Sequence, residues 1–396
     1  MRVFDAPGDY LHKFESLNGN YDYLMTSYFN DAYGQANFVG QNMSEQGYPT
    51  IEIIPNYRKA QYMWIKEHIS RSVNALNWKT EILFEQIAHY KPEILMFVGW
   101  SYGGILIKEL KRKFNFIKKI IFWTGESLPE TDFMTHYDAV FSCDKGNVLK
   151  LNNNDKASFH INHAFNFSLN KQLLDNDKNN TISFCGSIKF GASEHSYRAH
   201  ILSHLSEKFS VSMNGNVYVP SLYSKSLRGI LAKSFHNILD IIDKSKIPMN
   251  YIMTDAYKAN ISLRTNYKIF KELNKKFEPP IYGLEYLQKI KDSGIVLNTH
   301  SNTSFACNMR LFEGSGVGSC LVSDYKKNLH EIFEIDTEII CYDSKDELVE
   351  KVDYLINNPE KAREIGKKAM LKTKQMHTYK NRIEEYINAI NHILKK

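Results

Sequence analysis

The sequence predicts an α/β protein built from two doubly wound domains. Three observations carry this. Of the 396 residues, 43% are hydrophobic, enough for two packed cores. Short apolar runs alternate with helical segments along the chain. One polar break, near residues 150–180, interrupts that alternation.

The first series begins with YDYLMTSY (21–28), read as an early strand, then a loop through Gly34 and a helix over 37–47 that stops at Gly47. PTIEIIPN (49–56) is the next extended piece. A helix over 78–90 leads through Lys91-Pro92 to the apolar strand EILMFVG (93–99), and IKKIIFWTG (117–125) and YDAVFSCD (137–144) follow. Strand, helix, strand spacing of this kind implies a parallel sheet with helices on both faces. The break itself, LNNNDKASF and LDNDKNNT, is rich in Asn, Asp and Lys and marks a domain boundary. Beyond it TISFCGS (181–187), a helix over 197–209, SVSMNG (210–215), GIVLNTH (294–300), GSCLVSD (318–324) and EIICYD (338–343) repeat the alternation. The predicted division is residues 1–170, 171–375 and a tail over 376–396.

Composition narrows the function. No apolar run is long enough to cross a membrane, and the first residues lack the apolar core of a secretion signal. Cys143, Cys185, Cys307, Cys320 and Cys341 lie far apart with no C-x-x-C pair, which predicts reduced thiols in a cytoplasmic protein rather than disulfides or a zinc site. A net charge of +6 is too mild for a nucleic-acid partner but suits an anionic ligand, and it leaves room for peripheral contact with the inner face of a membrane. The basic stretch over 108–123 reads as a solvated helix face running into a buried strand.

Two short motifs suggest chemistry and are set aside. Gly99-Trp100-Ser101-Tyr102-Gly103 spells a G-x-S-x-G nucleophile elbow, but no HGGG-type oxyanion stretch precedes it and no later histidine is an evident partner. It is expected to be a tight strand-to-helix turn with Ser101 and Tyr102 as polar wall residues. Asp175-Asn176-Asp177 has the D-x-D spelling of metal-dependent sugar transferases, yet it sits in the polar linker.

The C-terminal third is more specific. In NMRLFEGSGVG (308–318), Glu313 is expected at the start of a helix facing a cleft, with Gly314, Gly316 and Gly318 leaving room for close backbone approach. A carboxylate beside a helix N-terminus suits a ribose diol next to a diphosphate. It equally suits simple stabilisation by the helix dipole.

This stretch, with PPIYGLEYLQKIKDSGIVLNTHSN (279–302), the segment over 331–366 and HTYKNR (377–382), resembles the C-terminal domain of the CgeB-like bacterial glycosyltransferases, relatives of the family-4 sugar transferases. The resemblance implies the GT-B fold: two Rossmann-like doubly wound domains facing each other across a cleft, with a final helix crossing back to the first. It implies transfer of a sugar from a nucleotide-sugar donor to a hydroxyl of a saccharide, lipid-linked or protein acceptor, with neither metal nor cofactor. By the same resemblance Glu313 falls on the ribose carboxylate, Asn308 and Arg310 share its motif, and Arg310 is the candidate for the diphosphate. Gly34, Gly186 and Ser187 are placed at turns facing the cleft, and Lys326 is a further cation for the phosphates. Where family-4 enzymes carry a second glutamate eight positions earlier, this chain has Phe305. An inverting mechanism would need a base from the first domain, for which Glu126, Asp132 and His136 are candidates; a retaining one could use the donor phosphate. The alternatives are a non-catalytic glycan-binding or coat protein and, more remotely, a serine hydrolase using Ser101.

Overall fold

The computed structural model describes residues 1–69, 72–126, 128, 132–154, 156–189, 196–218, 268–300, 304–306 and 308–395. The first sheet is formed by β1 (Arg2–Phe4), β2 (Glu52–Ile53), β3 (Ile94–Val98), β4 (Lys119–Thr124), β5 (Ala139–Ser142) and β6 (Ser158–His160), all parallel, in the order β2-β1-β3-β4-β5-β6. Parallel strands are covered on both faces, which is why ILMFV and KIIFWT are almost wholly apolar.

The second sheet repeats the plan. It contains β7 (Asn179–Cys185), β9 (Val211–Asn214), β11 (Phe277–Glu278), β12 (Ser293–Asn298), β13 (Cys320–Asp324) and β14 (Ile340–Tyr342) in the order β11-β9-β7-β12-β13-β14, while β8 (Ile188–Lys189) and β10 (Val217–Tyr218) form a separate parallel pair. In each sheet the strand order reverses beside the first strand, between β1 and β3 and between β7 and β12. Ligands in open α/β sheets bind at the carboxyl edge of such points. The arrangement is the GT-B architecture.

One element differs from expectation. YDYLMTSY is not a strand but part of the helix Tyr21–Asn30, whose N-cap Asn20 accepts from the Tyr23 N–H. Its buried residues Tyr21, Leu24, Met25 and Tyr28 follow helical spacing. The first strand is Arg2–Phe4, so Gly34 lies between this helix and the helix Phe38–Glu45 rather than directly after a strand.

The helix Tyr379–Leu394 starts in a capping box between Thr378 and Asn381 and packs on the first sheet. Tyr379 meets Phe38 at a centroid distance of 5.2 Å and Tyr386 meets Phe141 at 5.7 Å. Phe165, leading out of the first sheet, fills the space beside Gly316, where a Cβ would lie 2.2 Å from its ring. Among the described residues no helix is long and apolar enough to cross a membrane.

Ile383 is 0% exposed under this helix. Ile383→Ala is expected to lower the unfolding free energy by about 2–5 kcal/mol, read from urea denaturation; a loss well under 1 kcal/mol would contradict the packing described.

Candidate functional site

A pocket of about 320 Å³ opens between the carboxyl edges of the two sheets. The second sheet contributes the ends of β7 and β9, the segment Pro280–Gly283, Tyr286 and Asn308–Arg310 with Glu313, while the first contributes Ala32, Tyr33 and Gly34.

Glu313 stands in the first turn of the helix Arg310–Gly316, and its Oε2 accepts from the Tyr286 hydroxyl at 2.9 Å. Burial pushes its carboxyl up to about 7, against the opposing effects of that bond and of Arg310. Arg310 ties the surrounding strands together: Nη2 donates to the Cys185 carbonyl, Nη1 to Asn298 Oδ1 at 3.2 Å, and the guanidinium lies 5.1 Å from the Phe184 ring centroid. Gly186 is required by this approach, since a Cβ there would stand 2.5 Å from Arg310 Nη2. Asn308 donates from Nδ2 to Asn298 Oδ1 at 2.6 Å. Asn308 Oδ1 and Arg310 Nε are both buried without a protein partner.

Sequence reasoning missed one feature, Arg198, and named only Gly34 of a second. Arg198 lines the pocket from the first turn of the helix Ser196–Lys208, held by Nε donating to the Thr299 carbonyl (3.2 Å) and Nη1 to the Ser187 carbonyl (3.4 Å). A cation at the unfavourable end of a helix dipole was the available signal. The second is the loop 31–37. Ala32, Gly34 and Ala36 take φ of +59°, +61° and +38°, and Tyr33 and Gln35 between them do not. Alternation of this kind turns successive N–H groups to one side in an anion-binding nest. The N–H groups of Tyr33, Gly34 and Gln35 make no hydrogen bond among the described residues. Nothing lies within 4 Å of a Cβ at Gly34, so glycine is needed there for conformation rather than space.

The remaining sequence candidates lie elsewhere. Gly314 and Gly316 face protein, not the pocket: a Cβ would meet Leu321 at 2.7 Å or Phe165 at 2.2 Å, so the room they leave seats the helix on β13 and on the connecting segment. Lys326 is paired with Asp324 at 3.2 Å, outside the pocket. Asp324 in turn accepts from His300. Ser187 lines the pocket, and its Oγ accepts from the Asn216 N–H at 3.4 Å. Glu126 and His136 do not line it. Glu126 sits in an exposed turn where its N–H donates to Thr124 Oγ1, Asp132 opens the helical turn Asp132–Met134 with its side chain outside the described residues, and His136 is half-buried beyond that turn. Phe305 packs toward Gly146 of the first domain, 3.2 Å from where a Cβ would be.

Gly99 (φ +81°) makes the tight turn after β3. Ser101 is exposed with no histidine bonded to it among the described residues, and the Tyr102 hydroxyl donates to Asp5 at 3.2 Å. Asp175 and Asn176 of the D-x-D spelling are engaged by Lys291 and Asp292 on the surface.

Residues 249–388 match the sequence model of a glycosyl transferase-like family. No curated protein matches the sequence. Among solved structures, the sucrose-phosphate synthase of Thermosynechococcus elongatus is similar at TM-score 0.53 and 9% identity, over 100% of this chain and 99% of that one. Anabaena HepE in complex with UDP and glucose gives TM-score 0.53 and 9% identity over 99% of each chain. TarM of S. aureus gives 0.49 and 12%, over 79% of this chain, which spans 58% of TarM. The chain thus carries a glycosyl transferase-like domain within a GT-B fold.

The raised carboxyl of Glu313 sets a pH dependence. The folded protein holds this proton more tightly than the unfolded chain, from an ordinary 4.5 to about 7. Its contribution to stability is therefore complete below about 4.5 and is lost as pH rises through about 7. Glu313→Gln removes the ionisation, so its melting temperature should gain on the wild type between those limits and keep a constant lead above them; a pH-independent difference would refute the burial argument.

Proposed function

We propose that this protein is a glycosyltransferase of the CgeB-like kind, moving a sugar from a nucleotide-sugar donor to a hydroxyl of a bacterial surface glycan, lipid-linked saccharide or glycoprotein. The observation that carries the proposal is the joint lining of one pocket by Glu313, two guanidinium groups and the main-chain nest of the opposite domain. The carboxylate accepts from a ribose diol. Arg198, Arg310 and the N–H groups of residues 33–35 meet the charge that grows on the diphosphate as its bond to the anomeric carbon breaks. Binding of UDP and glucose by HepE, which shares the fold, supports a donor of this class. Glu126 and His136 lie outside the pocket, and neither they nor Asp132 is assigned the proton.

Glu313→Ala removes charge-assisted hydrogen bonds of roughly 1.5 to 3 kcal/mol, so nucleoside diphosphate affinity should fall by a factor of order 10 to 100 in calorimetric titration. Unchanged affinity in a folded variant would remove the centre of the site. Because protein cations and N–H groups serve the diphosphate in this proposal, transfer from a nucleotide sugar should persist in excess EDTA. Activity abolished by the chelator and restored by a divalent cation would count against it.

A further inference from the structure

The nucleotide pocket has a second polar feature, at the end away from β12. Asn214 closes β9, lines the pocket and is only 6% exposed. Its Nδ2 donates to Glu278 Oε2 at 3.3 Å and to the Pro279 carbonyl at 3.1 Å. Two acceptors on the same nitrogen fix which way the amide faces. Oδ1 is left as an acceptor, buried and without any partner in the protein. Nearby main-chain donors are already committed: the Gly186 N–H to the Asn214 carbonyl at 2.8 Å and the Gly215 N–H to the Glu278 carbonyl at 3.1 Å. Nor can the loop ends shift apart or together easily, since a Cβ at Gly215 would lie 2.3 Å from the Gly186 carbonyl oxygen.

The neighbouring wall suits a flat ring. Pro280, Ile281 and Tyr282 line the same pocket, and the Tyr282 ring is held from its far end by its hydroxyl, which donates to Asp9 Oδ2 at 2.6 Å. With Glu313 taking the ribose and the nest and guanidinium groups taking the diphosphate, the base and the transferred sugar remain, and the apolar wall of Pro280, Ile281 and Tyr282 beside Asn214 suits the planar base.

We propose that Asn214 reads the donor's nucleobase and selects bases that present a ring N–H. This rests on the nucleotide-sugar function proposed above. Uracil offers N3–H and guanine N1–H to Oδ1, and either bond satisfies an acceptor that is otherwise orphaned. Cytosine and adenine present a bare ring nitrogen at the equivalent position, setting one lone pair against another. A site built to bond a substrate N–H discriminates against an analogue lacking it because its own polar atom then stays buried and unpaired.

The test is calorimetric titration of the wild type, Asn214→Ala and Glu278→Ala with UDP, GDP, CDP and ADP. The wild type should bind UDP or GDP about tenfold more tightly than CDP and ADP, the scale of one neutral hydrogen bond. Asn214→Ala should bring all four to a common affinity. Glu278→Ala, a change at an exposed residue, should narrow the preference by freeing the amide to turn, and it keeps the inference testable if Asn214→Ala does not fold. Equal binding of all four by the wild type would overturn this inference alone, as would an equal loss for every nucleotide in folded Asn214→Ala. Binding of none of the four would overturn the nucleotide-sugar function and this inference with it.

Discussion

A buried ion pair, Arg2 with Glu52, fixes the face of the first sheet on which both the nest loop and the final helix rest. Arg2 Nη1 donates to both Glu52 oxygens at 2.7 and 2.8 Å, Nη2 donates to Gln35 Oε1 at 2.5 Å, and Glu52 also accepts the Gly40 N–H at 2.8 Å. One pair thus joins β1, β2, the loop 31–37 and the helix Phe38–Glu45. Gly40 is glycine because a Cβ would stand 2.6 Å from the carboxylate. Removing one member of such a pair leaves a lone buried charge, a loss of about 3–5 kcal/mol. The unusual backbone of Ala32 and Ala36, disfavoured for residues with a Cβ, persists because Gln35 between them is held in this way.

The second domain uses a similar device for the other half of the pocket. Arg310 spends its donors on the Cys185 carbonyl and on Asn298, so the ends of β7 and β12 are locked to the helix that carries Glu313. Arg198, held in the same way by the Thr299 and Ser187 carbonyls, is a second cation lining this pocket.

How much of this was legible depends on the physical signal each part leaves. Strands buried on both faces read as unbroken apolar runs, so the β3, β4, β12 and β13 segments and the fold class were evident. The helix Tyr21–Asn30 was misread because its aromatic residues favour strands and masked the spacing of Tyr21, Leu24, Met25 and Tyr28. Glu313 was legible as a carboxylate in the first turn of a short helix that ends in glycines, whereas Asn308 and Arg310 were named only through the family resemblance. The nest could not, because two of its three left-handed residues are alanines, and left-handed backbone at alanine has no signature in composition. Gly314 and Gly316 showed that space was needed but not what fills it; the answer, Leu321 and Phe165, is set by tertiary packing.

The forces joining the two domains differ along their interface. Around the pocket the contacts are polar and aromatic: Asp9 accepts from Tyr282 and Asn216, the Leu284 N–H donates to the Asp31 carbonyl at 2.9 Å, and the Tyr282 ring meets those of Tyr10 and Tyr33 at 5.2 and 5.3 Å; elsewhere Lys145 pairs with Glu331 at 2.8 Å, both partly exposed. Exposed pairs of this kind contribute about 0–1 kcal/mol each and weaken further with salt. At the back, Phe165 against Gly316, the Asn170 bond to the Gly316 carbonyl and the buried stripe of the final helix form one continuous apolar core spanning both sheets. Separating that core would expose many side chains at about 25 cal/mol per Å² of apolar surface. The apolar back is consequently the main hold between the two sheets. Tyr33 and Gly34 of the first domain line one pocket with Arg310 and Glu313 of the second, and the apolar back is what sets their separation.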